Sequence, residues 1–164
     1  MLAATLSSLY GIYAGYELAE NVPREPGSEE YLDSEKYEIK RRDWSAPGNL
    51  VDFVTRVNRI RRQHRALQLY TNLRFYAADD PNIVFYGKMT PGRDDLVFVA
   101  ANLDPFASHA SMVDVPIAEL GLGPDQPYRM HELLSDQWFE WRGARGYVEL
   151  HPDVEPAQIF VLQR

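Results

Sequence analysis

The chain has 164 residues, of which 45% are hydrophobic and 25% are charged, and its formal net charge at pH 7 is −7. This length can bury one core of ordinary size, whereas the negative charge would repel the phosphate backbone of a nucleic acid. The chain contains no cysteine, which excludes disulfides, thiolate chemistry and cysteine-based zinc sites and is typical of a protein of the cytoplasm.

Residues 1–18, MLAATLSSLYGIYAGYEL, are apolar but lack the features of a signal peptide or a membrane span. They have no basic flank and are interrupted by Ser, Gly and Tyr. The letters LAATL are typical of the last turn of a helix, and GIYAGYEL predicts a short buried strand. We therefore expect a cytoplasmic protein that binds neither a membrane nor a nucleic acid.

The stretch from Glu25 to Asn49 is polar, with seven carboxylates, two tyrosines and almost no aliphatic side chain. A long polar segment with scattered aromatic residues is either a solvated loop or a site that binds a polar ligand. The residues alone leave both alternatives open.

An amphipathic helix is predicted over residues 47–66. Pro47 is suited to a first helical turn, and apolar side chains then recur at helical spacing, at Leu50, Phe53, Val54, Val57 and Ile60. Basic residues cluster at the other end of the segment, and we interpret them as a solvated helix end that favours the helix dipole.

From Leu73 onward the pattern changes to eight short runs of β-forming residues separated by turn residues. The runs are LRFYAA, NIVFYGKM, DLVFVAANL, ASMVDVPI, YRMHELL, WFEWRG, GYVELH and AQIFVLQ. Such spacing predicts an antiparallel sandwich or barrel. The fold class is thus α+β, with a first part over residues 1–68 and a β-sandwich domain over residues 69–164.

Few catalytic or metal-binding motifs are present. The four histidines, at 64, 109, 131 and 151, lie far apart, and we expect no metal ion and no cofactor. His131 alternates with apolar residues and is interpreted as a strand residue without a catalytic role. Trp138 and Trp141 could form a platform for sugar rings, but core and rim positions of a sheet are the better interpretation.

The stretch YGIYAGYELAENVPREPGSEEYLDSEKYEIKRRDW, residues 10–44, resembles the eighth-strand region of the α-amylase superfamily, glycoside hydrolase family 13. Within it the chain is most similar to the bacterial α-1,4-glucan:maltose-1-phosphate maltosyltransferases. The segment NRIRR at residues 58–62 resembles the eighth barrel helix, and the β-rich part resembles the C-terminal domain of the same enzymes. Ala19 departs from the pattern, which has Cys there.

The resemblance implies that residues 1–68 are the end of a (β/α)8 barrel, in which the loop after a strand faces the active site. Lys36 and Tyr37 are then expected to bind maltose 1-phosphate. Family members use a retaining double displacement whose carboxylates lie on strands that this chain does not carry, so we expect no catalytic residue here and an inactive isolated chain. The acidic residues Glu29, Glu30, Asp33 and Glu35 are not assigned that role.

The expected partners are maltose 1-phosphate and an α-1,4-glucan, bound through a (β/α)8 barrel that the N-terminal part of the enzyme completes. A homodimer is a further expected partner, because the predicted strand GIYAGYEL has open edges in the isolated chain. An alternative of a different class is that the chain is a stand-alone β module that binds carbohydrate or another protein.

Overall fold

The computed structural model describes residues 1–33 and 39–163. The helices are α1 (Leu2–Leu6), α2 (Val51–Gln63) and α3 (Ile117–Leu120), with short 3-10 helices at Tyr16–Leu18 and Arg65–Gln68. The strands are β1 (Leu73–Tyr76), β2 (Ile83–Met89), β3 (Leu96–Asn102), β4 (His109–Asp114), β5 (Pro127–Glu132), β6 (Trp138–Arg142), β7 (Arg145–Leu150) and β8 (Ala157–Gln163).

The eight predicted β runs all form strands, and the antiparallel β domain is confirmed. They belong to one sheet with the order β1-β2-β3-β8-β5-β6-β7-β4. The two ends of this sheet meet where Ala78 bridges Val113, and the amide of Asp114 donates to the carbonyl of Ala77 at 2.9 Å. The sheet is therefore curled nearly into a barrel.

The predicted sandwich is wrong, because the strands do not divide into two stacked sheets. The last strand, β8, pairs with both β3 and β5, so the order of paired strands runs unbroken from β1 to β4. A right-handed twist accumulated over many strands curls such a sheet toward closure.

The barrel interior holds the larger hydrophobic core. Inward residues alternate with exposed ones along β5 and β7. This two-residue period is expected of a strand that has one face in the core and the other exposed to solvent. The core includes buried aromatic and aliphatic side chains from β2 to β8, and Tyr76 of β1 packs against it; among the buried members are Phe85, Phe98, Met130, Trp141, Val148 and Phe160.

A second hydrophobic cluster lies outside the barrel wall, beneath the helices. Ile60 of α2 and the following Ala66 and Leu67 pack against outward side chains of the central strands, namely Tyr86, Val97, Val99 and Ile159. Strand β3 is consequently buried on both faces. The first part of the chain and the sheet therefore pack together, and the division at residues 68 and 69 stays a prediction.

The segment predicted as a buried strand, residues 11–18, forms no strand. Gly15 has a φ of +98°, and Tyr16–Leu18 is a 3-10 helix in which the amide of Leu18 donates to the carbonyl of Gly15 at 3.1 Å. Tyr13 is 56% exposed. A strand needs neighbouring backbone to satisfy its amides and carbonyls, and no described strand lies beside this segment. The structure thus does not confirm a remnant of a (β/α)8 barrel.

Candidate functional site

The candidate site is the polar loop between residues 19 and 50. The two residues predicted to bind the ligand, Lys36 and Tyr37, lie outside the described residues. The flanks of the loop are described, and they show how its two ends are held.

The carboxylate of Glu20 joins the two ends of the loop. It accepts a hydrogen bond from Arg42 Nε at 2.9 Å and one from Lys40 Nζ at 3.2 Å. The Arg42 side chain is only 6% exposed, and its hydrogen bond to Glu20 holds the pKa of that carboxyl below its usual value. Gly15 leaves the space for this pair, since a Cβ there would lie 2.2 Å from Glu20 Oε2.

A second tie joins the loop to the start of α2. The amide of Leu50 donates to the carbonyl of Glu17 at 2.6 Å. The side-chain oxygen of Asn49 accepts from the amide of Val51 at 3.0 Å, which satisfies one of the free donors of the first helical turn. This tie explains why α2 begins at Val51 and not at Pro47 as predicted.

The first arm of the loop is itself folded. Pro23 and Tyr31 form an antiparallel bridge, flanked by hydrogen bonds between the backbones of Arg24 and Glu30 and of Leu32 and Val22. The ring of Tyr31 meets that of Tyr13 edge to face, with centroids 6.4 Å apart. The described part of the loop is therefore shaped by backbone pairing and an aromatic contact.

The acidic residues of this arm stand at the surface. Glu29 is exposed, and Glu30 forms an ion pair with Arg24 at 3.3 Å in which both side chains are well exposed. Exposed pairs of this kind contribute at most about 1 kcal/mol to stability.

The sequence did not reveal the roles of Glu17 and Glu20 at the loop base. Glu17 Oε2 is buried and accepts no hydrogen bond from the described residues, which is uncommon for a carboxylate oxygen. The pairing of Glu20 with Arg42 spans 22 positions. Their only signal in the sequence was their position at the end of the apolar segment, Glu17 within its last residues and Glu20 just after it.

The aromatic residues on β5 and β6 occupy the predicted kinds of position. Trp141 is 6% exposed and belongs to the core, whereas Trp138 is 42% exposed on the rim. His131 is on β5, stacks on Trp138 with ring centroids 4.2 Å apart, and contacts Asp136 through Nε2 at 2.6 Å. The core and rim interpretation of the two tryptophans is confirmed.

Across residues 1–33 and 39–163, no three His, Asp or Glu side chains converge in a way that could hold a metal ion. The helices in those ranges are all too short or too polar to cross a bilayer.

Comparison with known proteins identifies the family. Residues 75–162, which carry nearly the whole barrel, match the family model described as "GLGE, C-terminal". The chain belongs to this family. It is 49% identical over 160 residues to the α-1,4-glucan:maltose-1-phosphate maltosyltransferase of Rhodospirillum rubrum, covering 98% of this chain and 23% of that protein.

Two further maltosyltransferases extend this likeness. Identity is 45% to that of Myxococcus xanthus, over 99% of this chain and 24% of the relative, and 44% to that of Methylacidiphilum infernorum, over 100% and 25%. The chain therefore spans about a quarter of the length of these relatives. Its likeness to them includes the polar loop, because a match over the full chain leaves no part of it out.

Proposed function

We propose that this chain is the C-terminal portion of an α-1,4-glucan:maltose-1-phosphate maltosyltransferase of the α-amylase superfamily, glycoside hydrolase family 13. The completed enzyme transfers maltosyl units from maltose 1-phosphate to the non-reducing end of an α-1,4-glucan in the cytoplasm. The observation that carries the proposal is 49% identity to such an enzyme over 98% of the chain.

In this proposal the polar loop faces the active site of the catalytic (β/α)8 barrel, which the N-terminal part of the enzyme completes and which is a different barrel from the β-sheet described above. The structure supports an anchored loop, because Glu20, Arg42 and Lys40 hold its ends together. An anchored loop loses less conformational entropy when it presents side chains to a ligand than a free one does.

Lys36 and Tyr37 bind the donor substrate. An ammonium group donates charge-assisted hydrogen bonds to phosphate or hydroxyl oxygens, and an aromatic ring offers an apolar face to a sugar ring. The bond to phosphate is broken by carboxylates elsewhere in the enzyme. The contribution of this chain is therefore binding and positioning, and the isolated chain is inactive.

A chimera tests the proposal. The R. rubrum maltosyltransferase, with its matching segment replaced by this chain, is expected to release phosphate from maltose 1-phosphate when maltotetraose is supplied as acceptor. Its kcat/KM should fall by about 10- to 100-fold in the Lys36→Ala variant. A chimera that folds, as judged by circular dichroism, but transfers no maltose would overturn the proposal.

A homodimer of the completed enzyme is part of the same proposal. Light scattering on the active chimera measures its mass directly, and a monomeric mass at all concentrations rejects this part alone.

A further inference from the structure

A groove opens in the barrel wall between β6 and β7. A tight turn connects the two strands, which pair with each other only at Arg142 and Arg145. Beyond that pair they separate, and β6 is hydrogen-bonded to β5 while β7 is hydrogen-bonded to β4. The next two residues of the hairpin, Trp141 and Gly146, do not form a backbone pair; instead the Trp141 ring packs onto Gly146. The hairpin is therefore splayed from its first residues.

The groove has a volume of about 230 Å³ and combines aromatic with polar side chains. This is below the range of about 300–1,000 Å³ usual for drug-sized ligands, so it suits one or two small rings. Its lining includes Phe139, Tyr147, Glu149, His151, Glu155 and Gln158.

Two side-chain oxygens at this groove lack donors. Gln158 is 5% exposed, and its Oε1 has no hydrogen-bond partner among the described residues. Glu155 is partly buried, and its Oε1 also has no partner among the described residues, although hydrogen bonds from Gln158 and Ser135 to the Glu155 carboxyl lower its pKa against the effect of burial. A buried acceptor left without a donor costs about 1–3 kcal/mol, so such atoms are rare in folded proteins unless a ligand or water supplies the donor.

The nearby Glu132 shows that this region can satisfy a buried carboxylate. Glu132 is 0% exposed, and its oxygens accept hydrogen bonds from the amides of Leu134 and Ile159 and from both the amide and the hydroxyl of Ser135. Glu155 Oε1 and Gln158 Oε1, unlike the oxygens of Glu132, accept no hydrogen bond from the described residues. We therefore expect a bound ligand to supply the donors.

The charge and shape of the groove select the kind of donor. Glu149 and Glu155 disfavour phosphates and other anions. Glu149 is already engaged, since it accepts from the Tyr147 hydroxyl at 3.2 Å and lies 3.5 Å from His151 Nε2. Tyr147 is 51% exposed, which leaves ring surface free to stack on a sugar.

We propose that this groove binds a neutral, hydroxyl-rich ligand, a short stretch of α-1,4-glucan, at a place distinct from the polar loop. Sugar hydroxyls donate to Gln158 and Glu155, and one sugar ring stacks on Tyr147. The choice of an α-1,4-glucan rests on the proposed function, whereas the groove and its unpaired oxygens do not.

Titration calorimetry of the chain with maltotetraose tests this inference. We expect saturable binding with a Kd on the order of 1 mM, weakened about tenfold or more in Tyr147→Ala and in Gln158→Met, which keeps the side-chain length but removes the amide. Tyr70→Ala is the matched control, because Tyr70 is 83% exposed and lies outside the groove, and it should bind as the parent does.

The inference is overturned if maltotetraose at about 10 mM gives no saturable heat, or if Tyr147→Ala and Gln158→Met, both shown to fold by circular dichroism, bind it as well as the parent. A failure of the proposed function is distinguishable: the chimera would then be inactive while maltotetraose still bound the chain in a Tyr147-dependent way.

Discussion

The indole ring of Trp141 lies against Gly146 so closely that a Cβ at position 146 would stand 2.5 Å from Trp141 Cε3. We predict that Gly146→Ala destabilises the chain by about 1–3 kcal/mol, because the ring must shift within a packed core. Gly11→Ala is the control, since a Cβ there meets nothing within 4 Å. Urea denaturation measures both; equal stability of the two variants would contradict this account.

His109 links two loops through its imidazole ring. Its Nδ1 lies 2.7 Å from Asp80 and its Nε2 lies 3.2 Å from Asp104, and these carboxylates raise the pKa of His109. The stabilisation is thus fully present below the unfolded pKa of about 6.5 and is lost as the pH rises through the higher folded value.

We accordingly expect His109→Gln to lower the melting temperature more at about pH 5.5 than at about pH 9. Differential scanning fluorimetry across this range measures the difference. If His109→Gln lowers the melting temperature equally at both pH values, the protonated His109 ring does not stabilise the fold.

Ionised Glu155 is expected to destabilise the folded chain, in contrast to protonated His109, which stabilises it. Burial raises the pKa of Glu155 above its ordinary value of 4.5, and the charge of Glu132 adds to the effect. Below that ordinary value the carboxyl is protonated in both the folded and the unfolded chain, and as the pH rises the folded state is progressively destabilised.

Glu155→Gln should therefore raise the melting temperature at about pH 7 and change it little at about pH 4. The new amide also places a donor beside Gln158, whose side chain is hydrogen-bonded to Glu155 and whose Oε1 has no partner among the described residues. A lower melting temperature of the variant at neutral pH would show that ionised Glu155 stabilises the fold.

Arg61 of α2 holds the N-terminal segment through main-chain carbonyls. Its guanidinium donates to the carbonyls of Ala4, Ser7, Ser8 and Leu67. Arg61→Met should cost about 3 kcal/mol of unfolding free energy, since these acceptors lose a charged donor. Arg59→Met, on the exposed side of the same helix, should cost under about 0.5 kcal/mol. Similar losses in both variants would refute a special role for Arg61.

The contributions of Lys36 and Tyr37 to donor binding can be measured separately in the chimera. Tyr37→Phe keeps the ring and deletes the hydroxyl, so a small loss of kcat/KM indicates stacking and a large loss indicates a hydrogen bond. Glu29→Gln and Glu30→Gln serve as controls and should change the rate far less than Lys36→Ala, because exposed charges contribute little. If a Glu variant abolishes transfer while Lys36→Ala does not, the acidic residues take part in the chemistry.

The strands and α2 were predictable because their signals are local. Each strand run alternates in burial or is bounded by turn residues, and α2 repeats its apolar side chains at helical spacing. The pairing of strands was not predictable in this way, because alternation does not reveal which strands are neighbours. The apolar residues 11–18 fit a buried strand equally well, and only the lack of a neighbouring strand decides against it.

The basic residues at the end of α2 show a similar limit. Their pattern predicts a solvated helix end, yet Arg61 and His64 have specific partners, the latter Asp95 at 2.8 Å. The partners of Arg61 are backbone carbonyls, which every residue has and which leave no mark in a sequence. The candidate site itself follows from the family resemblance, since the residues alone leave both a solvated loop and a ligand site open and favour the solvated loop.

The central place of β8 in the sheet has a consequence for biosynthesis. Strands β3 and β5 are joined only through residues 157–163, which are among the last of the described chain to leave the ribosome. The hairpins made earlier can form one by one, but the barrel wall cannot be assembled from them until β8 emerges. The core side chains of β3 therefore stay partly exposed while β4 to β7 are synthesised, and those of β5 while β6 and β7 are synthesised. During this interval the nascent chain is most prone to aggregation.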